Sequence, residues 1–341
     1  MRFIFKLIGI FDTHSLHRTH NFFHSVGKNY VFYMNYVYQI NYKSEVLAYI
    51  CIALTTMLMV SCQKEINITQ PDYQQKVSIQ GIAEPDSLPI VFFNRTTPFL
   101  SATTTTGQLV IRNATVKISS EKAVDILKLD SLYDRIYCQF SYFYKGAKKI
   151  SWNTAYTLDI TNGSDSYTAT TNTTLQKAVI DSVDYTTAFN DVYGEHEGVI
   201  VYFKDIGGTT NYYRYEQTRL IDTTMKHASI SLSFSCIGKD TLRVLEQGRS
   251  VYTDQNVDGQ QIKIVIEPAY THKKGLKGLV KIQSIDKAMY DFYDQVDRQK
   301  LTQYNPFVEP IFLKEGQFGS KAIGFFGSRT KSSGIDFVFP E

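Results

Sequence analysis

Residues 156–171 read YTLDITNGSDSYTATT, and this stretch carries the clearest fold signal in the chain. Two runs rich in Thr, Tyr, Ile and Leu, at 156–160 and 166–171, have the composition of β-strands. Between them lies Asn162-Gly163, a dipeptide favoured in tight hairpin turns because both residues tolerate a positive φ. The stretch therefore predicts an antiparallel β-hairpin.

Similar short runs, separated by Gly, Asn, Asp and Ser, recur from residue 76 onward and predict a mainly β protein. The first series of predicted strands lies at 76–82, 90–94, 108–111, 115–119, 135–142, 156–160 and 166–171. Residues 112–114 form the predicted turn of a hairpin between the third and fourth of these strands. The number and spacing of the strands favour an immunoglobulin-like β-sandwich over residues 76–172.

A second series begins near residue 178, after a polar, threonine-rich boundary at 170–177. Its strands are predicted at 179–184, 198–203, 212–221, 229–235, 241–246, 261–267 and 278–284. One amphipathic helix is predicted near 286–300, with Asp286 as its N-cap. Its apolar face follows the i, i+3, i+4, i+7 spacing at Met289, Phe292, Tyr293 and Val296. We expect this face to pack on a sheet of a second β-rich domain, residues 178–341.

Residues 1–61 have the features of an export leader. The mostly apolar run 46–60 is shorter than the about 20 residues that a spanning helix needs, and it fits the hydrophobic core of a signal peptide. Residues 1–33 fit neither a leader nor a domain, and we interpret them as an upstream extension. A start at Met34 leaves a leader of ordinary length.

The end of this leader, Met59-Val60-Ser61-Cys62, resembles a bacterial lipobox. In that motif a small residue precedes a cysteine that is lipidated on sulfur and becomes the mature N-terminus. The resemblance predicts cleavage between Ser61 and Cys62 and attachment to a membrane by acyl chains on Cys62. The alternative is a buried core cysteine. Residues 62–75 are predicted to be a tether between membrane and first domain.

The charge balance argues against nucleic acid as a partner. Removing the five Lys/Arg and two acidic residues of residues 1–61 from the totals of 36 and 33 leaves 31 of each sign. Phosphate binding requires an excess of Lys and Arg on some surface, and the remaining chain is formally neutral.

The sequence also lacks a nucleophile elbow, a zinc-protease motif and a phosphate loop. We therefore expect a protein that is not an enzyme.

One segment matches half of a calcium-binding loop. Asp254, Asn256 and Asp258 alternate ahead of Gly259, as in the first half of an EF-hand loop. The twelfth position is Val265, which cannot ligate a metal, and the flanking segments have the composition of strands. A tight turn is favoured over a calcium site. A metal-dependent hydrolase using Asp254, Asp258 and Glu267 is a remote alternative.

Two aromatic clusters are candidate ligand sites. Tyr142 and Tyr144 lie in one, and Tyr212 and Tyr213 in the other, where they could stack against a glycan or contact a peptide. Strand alternation would instead send Tyr213 and Tyr215 to one face and Tyr212 to the other. Packing in the core is the favoured interpretation.

Four cysteines give little guidance about disulfides. Cys51 and Cys62 belong to the leader and the lipidation motif, which leaves Cys138 and Cys236. An oxidising envelope allows a disulfide between them, yet two thiols form no framework. Buried free thiols are favoured over a bridge.

Several segments, taken in order, resemble the Bacteroidota lipoprotein family known as domain of unknown function 4249. They are Cys62 with QKE at 63–65, SIQG at 78–81, NATV at 113–116, YTL at 156–158, YTDQNVDG at 252–259, SID at 284–286, NPFVEP at 305–310 and GFFG at 324–327. The resemblance implies an envelope lipoprotein with an immunoglobulin-like first part, often encoded near TonB-dependent outer-membrane receptors.

The resemblance and the leader together lead to one functional expectation. We expect a lipid-anchored outer-membrane protein without catalytic activity that binds a ligand or assists a TonB-dependent receptor in nutrient uptake. Residues 63–65 resemble a signal that sends lipoproteins to the cell surface, so we expect the protein on the outer face of the membrane. The periplasmic face is the alternative location. A structural or adhesive surface module is the alternative. No cofactor is expected, apart from the calcium alternative.

Overall fold

The computed structural model describes residues 46–50, 74–97, 106–134, 138–191, 194–222, 241–266, 275, 277–303 and 311–340. Residues Met1–Pro71 and Asp72–Glu341 form two compact units. In the first unit, residues 46–50 are helical. None of the described helices is both long and apolar enough to cross a membrane. The predictions for Ser61, Cys62 and most of the tether lie outside the described residues.

Within the part of the chain that the structure describes, the first half of the second unit contains seven strands and one helical turn. They are β1 (Val77–Ala83), β2 (Ile90–Arg95), α1 (Thr106–Leu109), β3 (Thr115–Ser119), β4 (Val124–Asp134), β5 (Gln139–Lys145), β6 (Ala155–Asn162) and β7 (Asp165–Asn172). The predicted hairpin is confirmed as β6 and β7, whose last pair is Asn162 with Asp165. Gly163 in the turn has φ +60°, the conformation that the Asn-Gly signal requires.

These strands form an immunoglobulin-like β-sandwich. They follow the order β1-β2-β5-β4-β3-β6-β7, and β4 crosses between layers by pairing with β3 through its first half and with β5 through its second. The two layers meet where the ring of Phe93 on β2 packs edge-on against Tyr167 on β7. Their shared core contains fully buried side chains such as Ile79, Val116 and Leu158.

A tyrosine corner marks the start of β6. The Tyr156 hydroxyl accepts a hydrogen bond of 2.8 Å from the backbone N–H of Ser151, five residues upstream. In immunoglobulin-like domains a tyrosine near the start of the sixth strand makes this type of bond to the backbone just before it. The corner fixes the path of the chain as it enters β6.

In its described residues, the second half contains eight strands and one long helix. They are β8 (Val179–Asp191), β9 (Gly194–Lys204), β10 (Tyr212–Asp222), β11 (Thr241–Thr253), β12 (Gln261–Ile266), β13 (Lys277–Ile285), α2 (Lys287–Gln303), β14 (Ala322–Lys331) and β15 (Ile335–Val338). A sheet of order β12-β9-β8 faces β10, β13 and β15. The contact between Phe203 on β9 and Tyr213 on β10, with centroids 4.9 Å apart, lies inside this second core.

Among the described strands, one pair joins the two halves. β14 pairs in parallel with the whole of β1, from Val77 opposite Ala322 to Ala83 opposite Ser328. A single sheet therefore runs from β11 through β14 and β1 to β7. The mainly β prediction is confirmed, and the division into domains at 172–178 stays a prediction.

The predicted helix is confirmed as α2. The Asp286 Oδ1 atom accepts a hydrogen bond of 3.0 Å from the backbone N–H of Met289, the geometry of an N-cap. Met289 and Tyr293 are buried against Ile285 and Phe325. The apolar face predicted from the spacing therefore packs on the sheet.

Three local predictions are wrong. Residues 108–111 do not form a hairpin strand with β3, because α1 ends at Leu109, Val110 pairs with Asn94 and the Ile111 N–H donates to the Phe93 carbonyl. Packing on β2 buries Val110 and Ile111, which outweighs the local turn signal. The strand predicted over 135–142 is β5, which begins only at Gln139.

The third correction concerns the cysteines. Cys138, in the turn just before β5, is disulfide-bonded, so a free thiol is the wrong expectation for this residue. Its backbone has φ +56°, so it sits in the left-handed region where a turn residue is expected. Cys236 lies outside the described residues.

Candidate functional site

The second half of β4 and the first half of β5 form a two-stranded extension of the sandwich. Pairing of β4 with β3 ends at Leu127, and pairing of β5 with β2 ends at Tyr144. Beyond these points, residues 130–134 pair with residues 139–143, and their described strand pairing is with each other. We call residues 130–134 and 139–143 the ribbon.

One face of the ribbon is aromatic. Tyr133 lies opposite Phe140 in the strand register, and their ring centroids are 5.1 Å apart in an edge-on contact. The centroid of the Phe140 ring lies 6.3 Å from that of the Tyr142 ring, and the Arg112 guanidinium lies 4.3 Å from the centre of the Tyr142 ring. Cation–π contact and ring packing hold these side chains in place without burying them.

The ribbon is exposed despite this composition. Tyr133 is 41% exposed and Phe140 is 48% exposed, and Leu132 on the opposite face is 67% exposed. Ile126 extends the same outer face of β4 toward β3 and is 63% exposed. Soluble proteins rarely leave grouped large apolar side chains in water, and such groups mark surfaces that contact other molecules.

The four tyrosines proposed from sequence lie in different environments. Tyr144 is buried, and its hydroxyl donates to the Ile111 carbonyl at 2.8 Å. Tyr213 is fully buried, and its hydroxyl donates to Asp205 Oδ1 at 2.5 Å. These two tyrosines belong to the core, so the ligand-binding interpretation does not describe them.

Tyr212 and Tyr142 are less enclosed. Tyr212 points away from Tyr213, as strand alternation predicts, and its ring packs 4.6 Å from that of Tyr290 on α2. Tyr142 alone of the four lies in the ribbon's aromatic face. It is half-buried and lies next to the exposed ring of Phe140.

Burial changes the acidity of the core tyrosines. Burial and then the hydrogen bond to Asp205 raise the pKa of Tyr213 above its ordinary value. Burial likewise raises the pKa of Tyr144. Both hydroxyls therefore stay protonated at physiological pH and act as fixed hydrogen-bond donors.

Two of the three predicted calcium ligands join a carboxylate that the sequence did not reveal. Asp254 and Asp258 meet Asp205, and one oxygen of each lies within 4.8 Å of the others. Asp205 and Asp254 are buried, while Asp258 is exposed. Asn256 is exposed. Its φ of +77° fits the favoured tight turn.

Hydrogen bonds from backbone N–H groups already occupy the three carboxylates. Asp205 Oδ2 accepts from Gly259, Asp258 Oδ1 from Gly208 and Asp254 Oδ2 from Asn211, at 2.7, 2.8 and 2.8 Å. The carboxylates thereby clamp the loop 254–260 against the loop 205–211. Asp residues are also suitable calcium ligands, so the same group could hold a divalent cation.

The flanks of this loop confirm part of the sequence reasoning. β11 ends at Thr253 and β12 begins at Gln261, so strands flank the loop where an EF-hand has helices. Glu267, required by the hydrolase alternative, lies outside the described residues, as does the lipidation candidate Cys62.

A sequence profile for the family described as Domain of unknown function (DUF4249) matches residues 63–334. The chain belongs to the DUF4249 family. The matched residues include the first core, most of the second core, the ribbon and α2. No curated protein matches the sequence.

One solved structure of low similarity is the crystal structure of chicken CNTN1 FN1–FN3 domains. It shares 10% sequence identity, covers 80% of this DUF4249 chain and 68% of its own, and superposes with a TM-score of 0.22. The immunoglobulin-like assignment rests on the strand order and the tyrosine corner.

Two elements of the candidate sites were missed in the sequence. β4 lacks the alternation of apolar and polar residues that identifies a half-buried strand, because Asp125 lies on the buried face while Val124 and Ile126 lie on the exposed face. Asp205 carries no local signal either, because only the fold brings it to Asp254 across 49 positions of sequence.

Proposed function

We propose that this DUF4249 protein is a lipid-anchored, non-enzymatic envelope protein that assists a TonB-dependent outer-membrane receptor in nutrient uptake. The anchor is Cys62, and the ribbon is the surface that contacts the receptor. The main support for the proposal is that Leu132, Tyr133 and Phe140 are exposed on one hairpin.

The chemistry of the ribbon suits a protein partner. Aromatic residues and Arg are the side chains most enriched at binding hot spots, and the ribbon combines Tyr133, Phe140 and Tyr142 with Arg112. Ring-on-ring contacts hold these side chains before a partner arrives, which lowers the entropy lost on binding. An extended two-stranded element can also enter a groove on its partner.

The first experiment tests the ribbon. Leu132→Ser with Phe140→Ser removes two exposed apolar side chains at little cost to folding, and Val179→Ser is the control, because Val179 is 68% exposed on β8. After crosslinking in native membranes, we expect the receptor to be captured with wild type and with the control. Capture should be lost with the double variant.

The second experiment tests the anchor and the role. We expect fatty-acid labelling of wild type, no label on Cys62→Ala, and release of that variant from the envelope fraction. Deleting the gene should reduce receptor assembly or substrate uptake. Normal uptake and assembly with no receptor in the crosslinked material would overturn the proposal. Altered attachment with normal uptake would identify an adhesive module instead.

A further inference from the structure

A small basic depression opens on the first sandwich. Its volume is about 200 Å³. The residues that define its chemistry are Lys122, Lys148, Lys149, Ser151, Trp152 and Thr154. The volume is below the about 300–1,000 Å³ of most sites for drug-sized ligands, so it suits a group the size of one sugar ring.

The three lysines make the depression electropositive. Neither Lys122 nor Lys149 forms a salt bridge with any residue that the structure describes. The Lys148 Nζ atom donates to the Val124 carbonyl at 2.8 Å, which satisfies one donor and leaves its charge uncompensated. Charges of one sign that converge on a concave wall attract a ligand of the opposite sign.

One carboxylate, Asp125, also lines the depression, and against the three lysines it leaves an excess of two positive charges. Asp125 is buried, and its Oδ2 atom accepts hydrogen bonds of 2.8 Å from the backbone N–H groups of Ala147 and Lys148. These bonds hold the segment that carries Lys148 and Lys149 against β4. Asp125 therefore positions two of the lysines.

Trp152 provides a rigid aromatic wall. It is the single tryptophan of the chain. Its Nε1 atom donates to Asp86 Oδ2 at 2.8 Å, and the Lys177 Nζ atom lies 5.3 Å from the ring centre. The hydrogen bond and the cation–π contact fix the ring in one orientation. An indole held in this way offers a flat apolar surface for the carbon face of a sugar ring.

We infer that this depression binds an anionic saccharide, with its carboxylate or phosphate on Lys122, Lys148 and Lys149 and its ring against Trp152. The inference goes beyond the proposed function and is independent of the receptor contact. The ligand is either a soluble acidic sugar or the phosphorylated sugar of a membrane glycolipid.

Tryptophan fluorescence tests this directly, because Trp152 is the sole tryptophan and reports on this site alone. The full-length protein in detergent is titrated with digalacturonate, with lipopolysaccharide micelles, with neutral maltose and with inorganic phosphate. We expect a saturable change with one or both anionic saccharides and none with maltose. A response to digalacturonate would show that the site binds a soluble acidic sugar. A response to lipopolysaccharide alone would show that it binds the phosphorylated sugar of a glycolipid.

Variants separate a lysine site from a general effect. Lys122→Ala and Lys149→Ala, both on exposed side chains, should each weaken binding about tenfold through loss of a charge-assisted hydrogen bond. Lys263→Ala on β12 is the matched control and should bind like wild type. Calorimetry with Trp152→Phe should show weaker binding of the same ligand.

Three outcomes overturn the inference. They are no saturable response to either saccharide, equal affinities for wild type and both lysine variants, and a response to inorganic phosphate that matches the response to the saccharides. Binding is measured without the receptor. A negative result here therefore leaves the crosslinking test of the ribbon unaffected, and the converse also holds.

Discussion

The Thr171 hydroxyl donates a hydrogen bond of 2.8 Å to Asp286 Oδ2, joining the end of β7 to the start of α2 across 115 positions of sequence. The same carboxylate caps the helix at Met289 and accepts from the Ser328 N–H on β14 at 2.7 Å. One side chain therefore connects the first sandwich, the helix and the strand that pairs with β1.

We expect Asp286→Ala to lower the free energy of unfolding by about 3 kcal/mol. The loss combines a helix cap, about 1 kcal/mol, with buried N–H and hydroxyl donors left without an acceptor. Thr171→Val removes only the hydroxyl and should cost about 1 kcal/mol. Denaturant unfolding measures both. Equal costs for the two variants would contradict the shared role of Asp286.

Glu216 predicts a pH dependence of stability. Burial disfavours its charge, but the Lys331 ammonium at 2.9 Å and the Gln283 amide at 2.9 Å hold the pKa of Glu216 below its usual 4.5. A lowered folded-state pKa adds stability above the unfolded-state value, and this contribution disappears as pH falls through the folded-state value.

The comparison variant is Glu216→Gln, which does not titrate. We expect wild type to be more stable than this variant at pH 7, with the difference shrinking below about pH 4.5. Urea unfolding over a pH series measures it. A difference that stays constant down to acid denaturation would show that the ion pair does not contribute through Glu216.

The strand that joins the two halves requires a residue without a side chain at Gly324. It has φ +130°, and a Cβ at this position would overlap the carbonyl of Ile79 on β1. Gly324→Ala should lower stability by more than about 3 kcal/mol or prevent folding, because both backbone strain and a clash with β1 arise.

Gly208→Ala is the matched control. Gly208 also has a positive φ, +87°, but a Cβ there meets no atom within 4 Å. Only backbone strain remains, so we expect a cost of about 1 kcal/mol. Thermal unfolding of the two variants separates the clash from the strain. Comparable midpoints would contradict the close approach of β14 to β1.

The aspartate group predicts the response to calcium. Because Asp205, Asp254 and Asp258 already accept backbone N–H groups, we expect millimolar calcium to leave the unfolding midpoint unchanged. Magnesium is the control ion. A midpoint that rises with calcium, and no longer rises in Asp258→Asn, would establish a metal site at this clamp.

Sequence reasoning was most accurate where the signal is local. The strands β6 and β7 follow from Asn162-Gly163 and the runs beside it, and α2 follows from Asp286 and its apolar spacing. It was least accurate for residues 108–111, where a local turn signal competes with burial against β2. The exposure of β4 and β5 depends on where neighbouring strands end, which no local pattern records.

The amino-acid sequence alone was enough to predict the β class, the β6–β7 turn, the capped helix and the family. Backbone conformation and the periodicity of burial depend on residues that are neighbours in the chain. The tertiary structure alone decided that Asp205 meets Asp254, that Tyr144 is buried while Phe140 is exposed, and that Lys122 and Lys149 line the same depression as Trp152. These relations join residues far apart in the chain, and packing selects them only when the two layers close on a common core.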